Sequence, residues 1–520
     1  MMRENIQDPI GAQWLVNYYG IQVLQPLSVL SGIASRRVSQ YDEGRRLEFY
    51  QERQRPESTP VAHLQFFLRH EIPHFEFLSR LFQKMGNQPI QQWVNQEPTG
   101  QYARRAAFLF EFFTGQELVR PMALGGAYVD AIDSDKVLST SAAAVEKVSK
   151  WRINNNLAGN RYFCPTFVKD NKTLETISVD VKALLRELNQ EVGEDFLVRS
   201  AVWFTLGESR ASFKIEGEGH QLTRIQRFAD VMERFTGNLD IPLDLGMLQR
   251  EILGDKTLIQ QFGVRQSPVF VGKTRNFREE VHYIAPSFDL LEKQLEGLYL
   301  FWNKTTGQSP VVRVAVMAFA FVYLHPLADG NGRLHRFLFN HLLRSLGETA
   351  APIILPISGV IAESAEERLA YAKTLEILSK PLMRGLEGTY SFVAEETQYA
   401  DGIYSNLVFD GEEIAKPVWF YMDLTQHVIY FARLIQKTIA VNMRQESLYL
   451  RNYDKAREAL QEVIEMPGHY ADRVIRSILD NQGILSQKLK KEMPLLEEEG
   501  VWQQLVDIVR TYLGEETQSH

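Results

Sequence analysis

Along most of this 520-residue chain, apolar side chains recur three and four positions apart, and strict alternation of apolar with polar residues is rare. The first spacing lines one face of a helix. The second would mark a half-buried strand. The chain therefore reads as all-α, with a helical core flanked by N- and C-terminal helical regions. Helices are expected over 102–113, 179–217, 222–235, 287–303, 311–324 and from near 332 to 346. Further amphipathic helices are expected at 418–441 and 453–465, within a region that reads as helical from about 387. One segment breaks the pattern. In 267–286, the β-type runs SPVFVG and VHYIAP flank the charged connector KTRNFREE, which predicts a β-hairpin with a longer loop than the commonest type. These features divide the chain into an N-terminal region 1–175, a central region 176–386 and a C-terminal region 387–520.

Composition removes several classes. Hydrophobic residues make up 45% and charged residues 23%, as in ordinary globular proteins. Lys+Arg 57 against Asp+Glu 65 leaves a net charge of −8, which disfavours attachment to nucleic acid or anionic lipid by bulk charge. One cysteine, Cys164, excludes an internal disulfide framework and a cysteine-built metal site, and a reducing cytoplasm is the expected compartment. The start, MMRENIQDPIGAQW, lacks the apolar run of a secretory signal. The most apolar stretch, 311–324, is interrupted by Arg313. It is too short for a membrane span, so a buried helix is expected and no membrane partner. Residues 471–489, around Asn481-Gln482-Gly483, have the outline of a helix-turn-helix. The acidic residues Glu497, Glu498, Glu499, Glu515 and Glu516 argue against a DNA face and favour a partner-binding or stabilising role.

One stretch carries chemistry: His325-Pro326-Leu327-Ala328-Asp329-Gly330-Asn331-Gly332-Arg333-Leu334-His335-Arg336. An apolar helix ends at a histidine, a glycine-bearing turn follows, and a new helix starts with two arginines three apart. A helix N-terminus offers unpaired N–H groups, and glycines let a phosphate approach them. Arginines on one helix face can fork around phosphate oxygens. An aspartate at the turn suits Mg²⁺ shared with a polyphosphate, and the histidine suits a proton acceptor near neutral pH. The set describes a nucleotide polyphosphate site with a general base. A metal site built from His325, Asp329 and His335 is the competing reading, which the neighbouring arginines oppose.

These residues closely resemble the signature of the Fic family, His-x-Phe-x-(Asp/Glu)-Gly-Asn-Gly-Arg-x-x-Arg, with Leu327 at the phenylalanine position. The resemblance implies a Fic helical core and transfer of AMP from ATP to a Ser, Thr or Tyr hydroxyl of a protein target, releasing pyrophosphate. It implies that His325 accepts the hydroxyl proton and that Asp329 holds Mg²⁺. Gly330, Asn331 and Gly332 would form the anion hole, with Asn331 also donating from its side chain. Arg333 and Arg336 would hold the β- and γ-phosphates. Doc-type phosphotransferases carry lysine where this chain has Gly332, so the glycine favours AMP transfer. A Fic-fold nucleotide-binding regulator with little turnover, or a transferase using another nucleotide donor, are the alternatives.

Upstream, Ser212-Phe213-Lys214-Ile215-Glu216-Gly217 resembles the Fic inhibitory motif (Ser/Thr)-x-x-x-Glu-(Gly/Asn). Its position before the signature is that of the class II arrangement, with an inhibitory helix near 200–217. The resemblance pairs Glu216 with Arg336 in the place of the γ-phosphate, making the chain autoinhibited, and leaves room for auto-AMPylation or removal of AMP. The hairpin 267–286 matches the Fic flap, which would register a target's hydroxyl over His325 by strand pairing. Its connector holds Lys273, Arg275, Arg278, Glu279 and Glu280, too mixed to name a target. Ser358 and Tyr371 lie where related sequences border the nucleoside. Asn340 can equally reach the nucleotide or hold a neighbouring loop. A homodimer is compatible with the resemblance.

Overall fold

The computed structural model describes residues 8–42, 45–275 and 278–514. The chain divides into two compact units. One comprises Met1–Val179, Ser209–Glu348 and Ile361–Arg433, and the other Asp180–Glu208, Thr349–Val360 and Leu434–His520. Most of the described chain is helical, with four small sheets.

The helix expected over 179–217 is two helices, Val181–Val192 and Glu194–Ile215 (α1). Gly193 separates them at φ 100, a conformation that glycine adopts without the Cβ penalty, and its N–H caps the Asn189 carbonyl at 2.9 Å. The helix over 222–235 lies where its periodicity placed it. The apolar stretch forms Pro310–Leu324 (α2), which opens on proline and is buried on nearly every side. Arg313 is accommodated in that burial. Its guanidinium lies 4.0 Å from the Trp302 ring centre and donates to the Trp302 carbonyl at 2.7 Å. Leu324 is the last helical residue, His325 turns left-handed, and the next helix, Asn331–Ser345 (α3), packs back on α2.

Strands are more numerous than expected. The N-terminal part carries a four-stranded sheet (Pro9–Ile10, Val29–Ile33, Val38–Asp42 and Arg45–Tyr50) and a three-stranded one (Val129–Asp130, Glu146–Val148 and Ile153–Asn155). These strands are too short for alternation to stand out. Beside them lies an aromatic core including Phe75, Phe77, Phe82, Phe110, Phe113 and Trp151. Cys164 is buried there, and burial pushes its thiol up to about 12, which makes it unreactive.

The hairpin expected at 267–286 is present as Phe270–Arg275 (β1) and Arg278–Ile284 (β2). The charged connector is mostly strand: Lys273 pairs with Glu280 and Arg275 with Arg278, with 276–277 outside the described residues. A ribbon wet on both faces carries charged residues without burying them. The helical reading from 387 needs correction. Tyr390–Gln398 (β3) and Tyr404–Phe409 (β4) form a second antiparallel hairpin before the helices resume at Glu412. Most of β3 is exposed, so no apolar period marks it. The helix expected at 418–441 is interrupted between Phe420 and Thr425.

In the other unit, Arg444–Val463, Gly468–Asp480 and Val501–Leu513 enclose Leu460, Val474, Ile475, Leu505 and Val509. The helix-turn-helix outline resolves into Gly468–Asp480 and a six-residue helix, Gln487–Glu492. Glu515 and Glu516 lie outside the described residues. Among the described residues, no helix is long and apolar enough to cross a membrane.

Candidate active site

The site grows from the junction between α2 and α3. His325 caps α2 at φ 48, ψ 55, with its N–H on the Phe321 carbonyl at 3.0 Å. Its imidazole Nδ1 lies 3.2 Å from the Val322 carbonyl oxygen, which places the proton on Nδ1 and leaves Nε2 as the acceptor. Burial pushes this histidine down to about 4, with the Val322 hydrogen bond opposing. The imidazole is therefore neutral at pH 7 and able to take a proton.

The turn is held from inside. Leu327 is fully buried and pairs with Val264 as an isolated bridge. The Asn331 amide clamps it: Nδ2 donates to the Leu327 carbonyl at 2.7 Å, and Oδ1 accepts from the Leu327 N–H at 2.9 Å. Asn331 thus shapes the turn with its side chain. Gly330, at φ 91, opens α3, which directs the first N–H groups of that helix into the turn. Asp329 is exposed. Its Oδ1 accepts from the Gly330 N–H at 2.6 Å and faces Arg333 at 3.5 Å. Gln249 supports the turn from behind, donating to the Asp329 carbonyl at 2.9 Å.

Arg333 and Arg336 project from the first two turns of α3, and both are nearly buried. One carboxylate engages both. Glu216 Oε1 accepts from Arg336, and Oε2 lies 3.2 Å from Arg333 Nε. Glu216 follows the last residue of α1, and Gly217 at φ 79 turns the chain away. Ser212, one turn earlier and fully buried, accepts from Arg336 Nε at 2.6 Å through Oγ. The Arg333 guanidinium also lies 5.1 Å from the Phe213 ring centre. Gly332 makes room for this arrangement. A Cβ there would stand 2.5 Å from Glu216 Oε1 and 3.3 Å from the Arg336 guanidinium.

The fold brings the remaining residues to varied places. Tyr371 is buried with Arg336 and Glu216 acting on its phenol, which burial pushes up. Asn340 is buried on α3, one turn beyond Arg336. Ser358 is buried in the second unit, where its N–H and Oγ donate to Glu208 at 2.6 and 2.5 Å. His335 is a core histidine: its Nδ1 meets the Ala318 carbonyl at 2.7 Å, and burial pushes it down to about 3. Among the described residues, no group of three or more His, Cys, Asp or Glu could hold a metal ion, which removes the reading of His325, Asp329 and His335 as a ligand set.

Sequence reasoning missed Arg265 and Asp401. Arg265 is fully buried, and its guanidinium donates to the carbonyls of His325, Ser267 and Pro286 at 2.7, 2.7 and 2.6 Å. Asp401, between β3 and β4, accepts from the N–H groups of Gln266 and Ser267 and from the Ser267 hydroxyl. The lone arginine in the otherwise uncharged QQFGVRQSPVFVG was the only available signal, and it names no partner.

The Fic/DOC family model matches residues 248–343, which hold the β1–β2 hairpin, α2 and all but the last two residues of α3. A Fido domain-containing protein of Dictyostelium discoideum is 33% identical over 139 residues, 26% of this chain and 84% of that protein. The protein adenylyltransferase fic-1 of Caenorhabditis briggsae is 30% identical over 116 residues, 22% of this chain and 21% of that protein. This chain thus spans about a fifth of that adenylyltransferase. A solved Fic family protein from Desulfovibrio desulfuricans G20 aligns with 55% of this chain and 78% of its own at 16% identity and a TM-score of 0.38. With the Dictyostelium protein matched over most of its length, and with the histidine, glycine turn and paired arginines standing together in the matched segment, this chain belongs to the Fic/DOC family.

Proposed function

We propose that this chain transfers AMP from ATP to a hydroxyl side chain of a protein, and that Glu216 holds it inactive until displaced. The observation that carries the reading is that one carboxylate occupies both guanidinium groups of the helix that follows the turn after a neutral imidazole. Two arginines at a helix N-terminus, lined by a glycine turn, match the charge and shape of a polyphosphate. Glu216 is the anion that stands in for it.

In the active state His325 Nε2 accepts the target hydroxyl proton as its oxygen attacks the α-phosphorus. The bond to the β-phosphate oxygen breaks, and pyrophosphate leaves with the charge. Arg333 and Arg336 bind the β- and γ-phosphates, and the first N–H groups of α3 face the phosphate oxygens. The residues mainly position groups and stabilise charge, as phosphoryl chemistry requires. Asp329 suits Mg²⁺: it is exposed, and a single carboxylate with substrate oxygens and water is the usual donor set for that ion. The ion would neutralise charge building on the phosphates. The target's extended segment pairs with the flap, which fixes its hydroxyl over His325.

Incubation with α-labelled ATP and Mg²⁺, as the natural chain and as Glu216→Gly, tests this. Label should appear on the chain itself or on lysate proteins with Glu216→Gly, and vanish when His325→Ala is added. Nucleotide binding without covalent label in both proteins would remove the transferase reading.

A further inference from the structure

Arg265 plays no part in the reaction as described, yet it is fully buried, where a guanidinium is tolerated only with partners. Its side chain meets main-chain carbonyls: Nε donates to His325, one terminal nitrogen to Ser267 and the other to Pro286. Its own N–H donates to the Pro326 carbonyl at 2.8 Å. These carbonyls belong to three places. His325 is the base, Ser267 precedes β1, and Pro286 follows β2. A guanidinium is planar and rigid, so one such group fixes the mutual distances of everything it touches.

His325 needs such a hold. It is a non-glycine residue at φ 48, a conformation that persists where the surroundings over-determine it. Its N–H is tied to α2 and its carbonyl to Arg265. The foot of the flap is braced independently. Asp401 takes the Gln266 and Ser267 N–H groups at 2.8 and 2.9 Å, and its own carbonyl accepts from Gln260 at 2.9 Å.

We infer that Arg265 is a positioning residue that sets the general base at a fixed distance from both ends of the flap, with Asp401 bracing the first end. The inference rests on the reading of the site as an AMP transferase and extends it to how base and target are registered. Arg265 touches neither nucleotide-binding arginine among its hydrogen bonds above, so its loss should spare ATP binding and impair turnover.

The test uses the full chain carrying Glu216→Gly, then adds Arg265→Lys, Arg265→Gln or Asp401→Asn. Three quantities are read: ATP affinity by calorimetry, maximal rate of label incorporation into the chain's own residues, and the His325 tautomer by ¹⁵N-histidine NMR, assigned with His325→Ala. Expected are ATP affinities within twofold of the parent and a maximal rate at least tenfold lower in Arg265→Gln. Partial rescue is expected in Arg265→Lys, which keeps the charge without the fork. The tautomer signal should be Nδ1-protonated in the parent and averaged in Arg265→Gln. If Arg265→Gln fails to fold, Asp401→Asn keeps the guanidinium and should still slow turnover at unchanged ATP affinity. Rates within twofold of the parent, or a loss of rate matched by an equal loss of ATP affinity, would overturn the inference. If the Glu216→Gly parent labels nothing, the transferase reading fails separately. The NMR comparison then decides alone, and an unchanged tautomer overturns the role of Arg265.

Discussion

Glu216 and Arg336, 120 residues apart in sequence, form an ion pair, while the second oxygen of the same carboxylate faces Arg333 at 3.2 Å. The pair joins the residue that follows α1 to the second turn of α3, and under the function proposed above Glu216 stands in for two phosphates rather than one.

Inhibition should therefore be graded by how many contacts a substitution removes. Glu216→Gly releases both arginines, and the maximal rate of AMP transfer should rise by at least tenfold. Ser212→Ala removes only the 2.6 Å bond to Arg336 Nε, a charge-assisted contact worth about 1.5–3 kcal/mol in general. It should give an intermediate gain. Radiolabel incorporation measured side by side checks the order. A Ser212→Ala rate equal to that of Glu216→Gly, or no gain in either, contradicts it.

Gly332 and Glu216 should be coupled in stability. A methyl group on the Gly332 α-carbon would stand 2.5 Å from Glu216 Oε1, so Gly332→Ala must shift the carboxylate from its place against the arginines. Contacting residues commonly show interaction energies of about 0.5–3 kcal/mol in double-mutant cycles. In the natural chain Gly332→Ala should lower the thermal midpoint, and in the Glu216→Gly background the same change should cost much less. Equal losses in both backgrounds would show that the glycine serves something other than room for Glu216.

The site was more legible than the frame around it, for a physical reason. A glycine turn that opens a helix needs particular residues at particular offsets, so His325, Gly330, Asn331, Gly332, Arg333 and Arg336 could be read as a group, and the four-residue spacing of Ser212 and Glu216 is the one that brings both to Arg336. Strong periodicity likewise made 222–235 and 311–324 readable. The hairpin of β3 and β4 was not, because its first strand is mostly exposed and shows no apolar alternation. Gly193 broke a helix that apolar spacing alone would continue. Arg265 and Asp401 were invisible because their partners, the Ser267 hydroxyl apart, are backbone atoms, which leave no trace in side-chain pattern. Sequence points to the Asn331 side chain as a phosphate donor, while its amide holds the Leu327 backbone.

Stability should fall as pH drops below 6.5. Burial holds His63, His325 and His341 down to about 4, and His335 and His427 down to about 3, against an ordinary value of 6.5. Between 6.5 and about 4 the unfolded chain binds protons that the folded chain refuses. Stability is therefore fully present above 6.5 and declines below it, by up to about 1.4 kcal/mol per pH unit for each such group. Glu71 works the other way. Burial raises it to about 7 from 4.5, so the folded chain gains a proton there first, but it is one group against these five and His70, which burial also lowers. Denaturant midpoints at pH 7.5, 6.0 and 4.5 should decrease in that order. A midpoint that stays level or rises at pH 4.5 would mean these histidines are protonated in the fold.

The amide of Asn331 offers the sharpest separation of shape from charge. It both accepts from and donates to the Leu327 backbone, which no carboxylate can do. Asn331→Asp keeps the size and the acceptor but loses the donor, so it sets a carboxylate oxygen against the Leu327 carbonyl in a buried place. An unsatisfied buried group costs about 1–3 kcal/mol, and repulsion adds to it. It also brings a negative charge to the start of α3, where phosphate oxygens are expected. In the Glu216→Gly background, Asn331→Asp should therefore lower the thermal midpoint and cut AMP transfer by about tenfold or more, the equivalent of about 1.4 kcal/mol. Asn331→Ala separates the two effects, because it loses the clamp without adding charge. It should share the drop in midpoint while keeping more of its ATP affinity than Asn331→Asp. Equal ATP affinities in the two variants, measured by calorimetry, would show that the turn's shape alone governs the site.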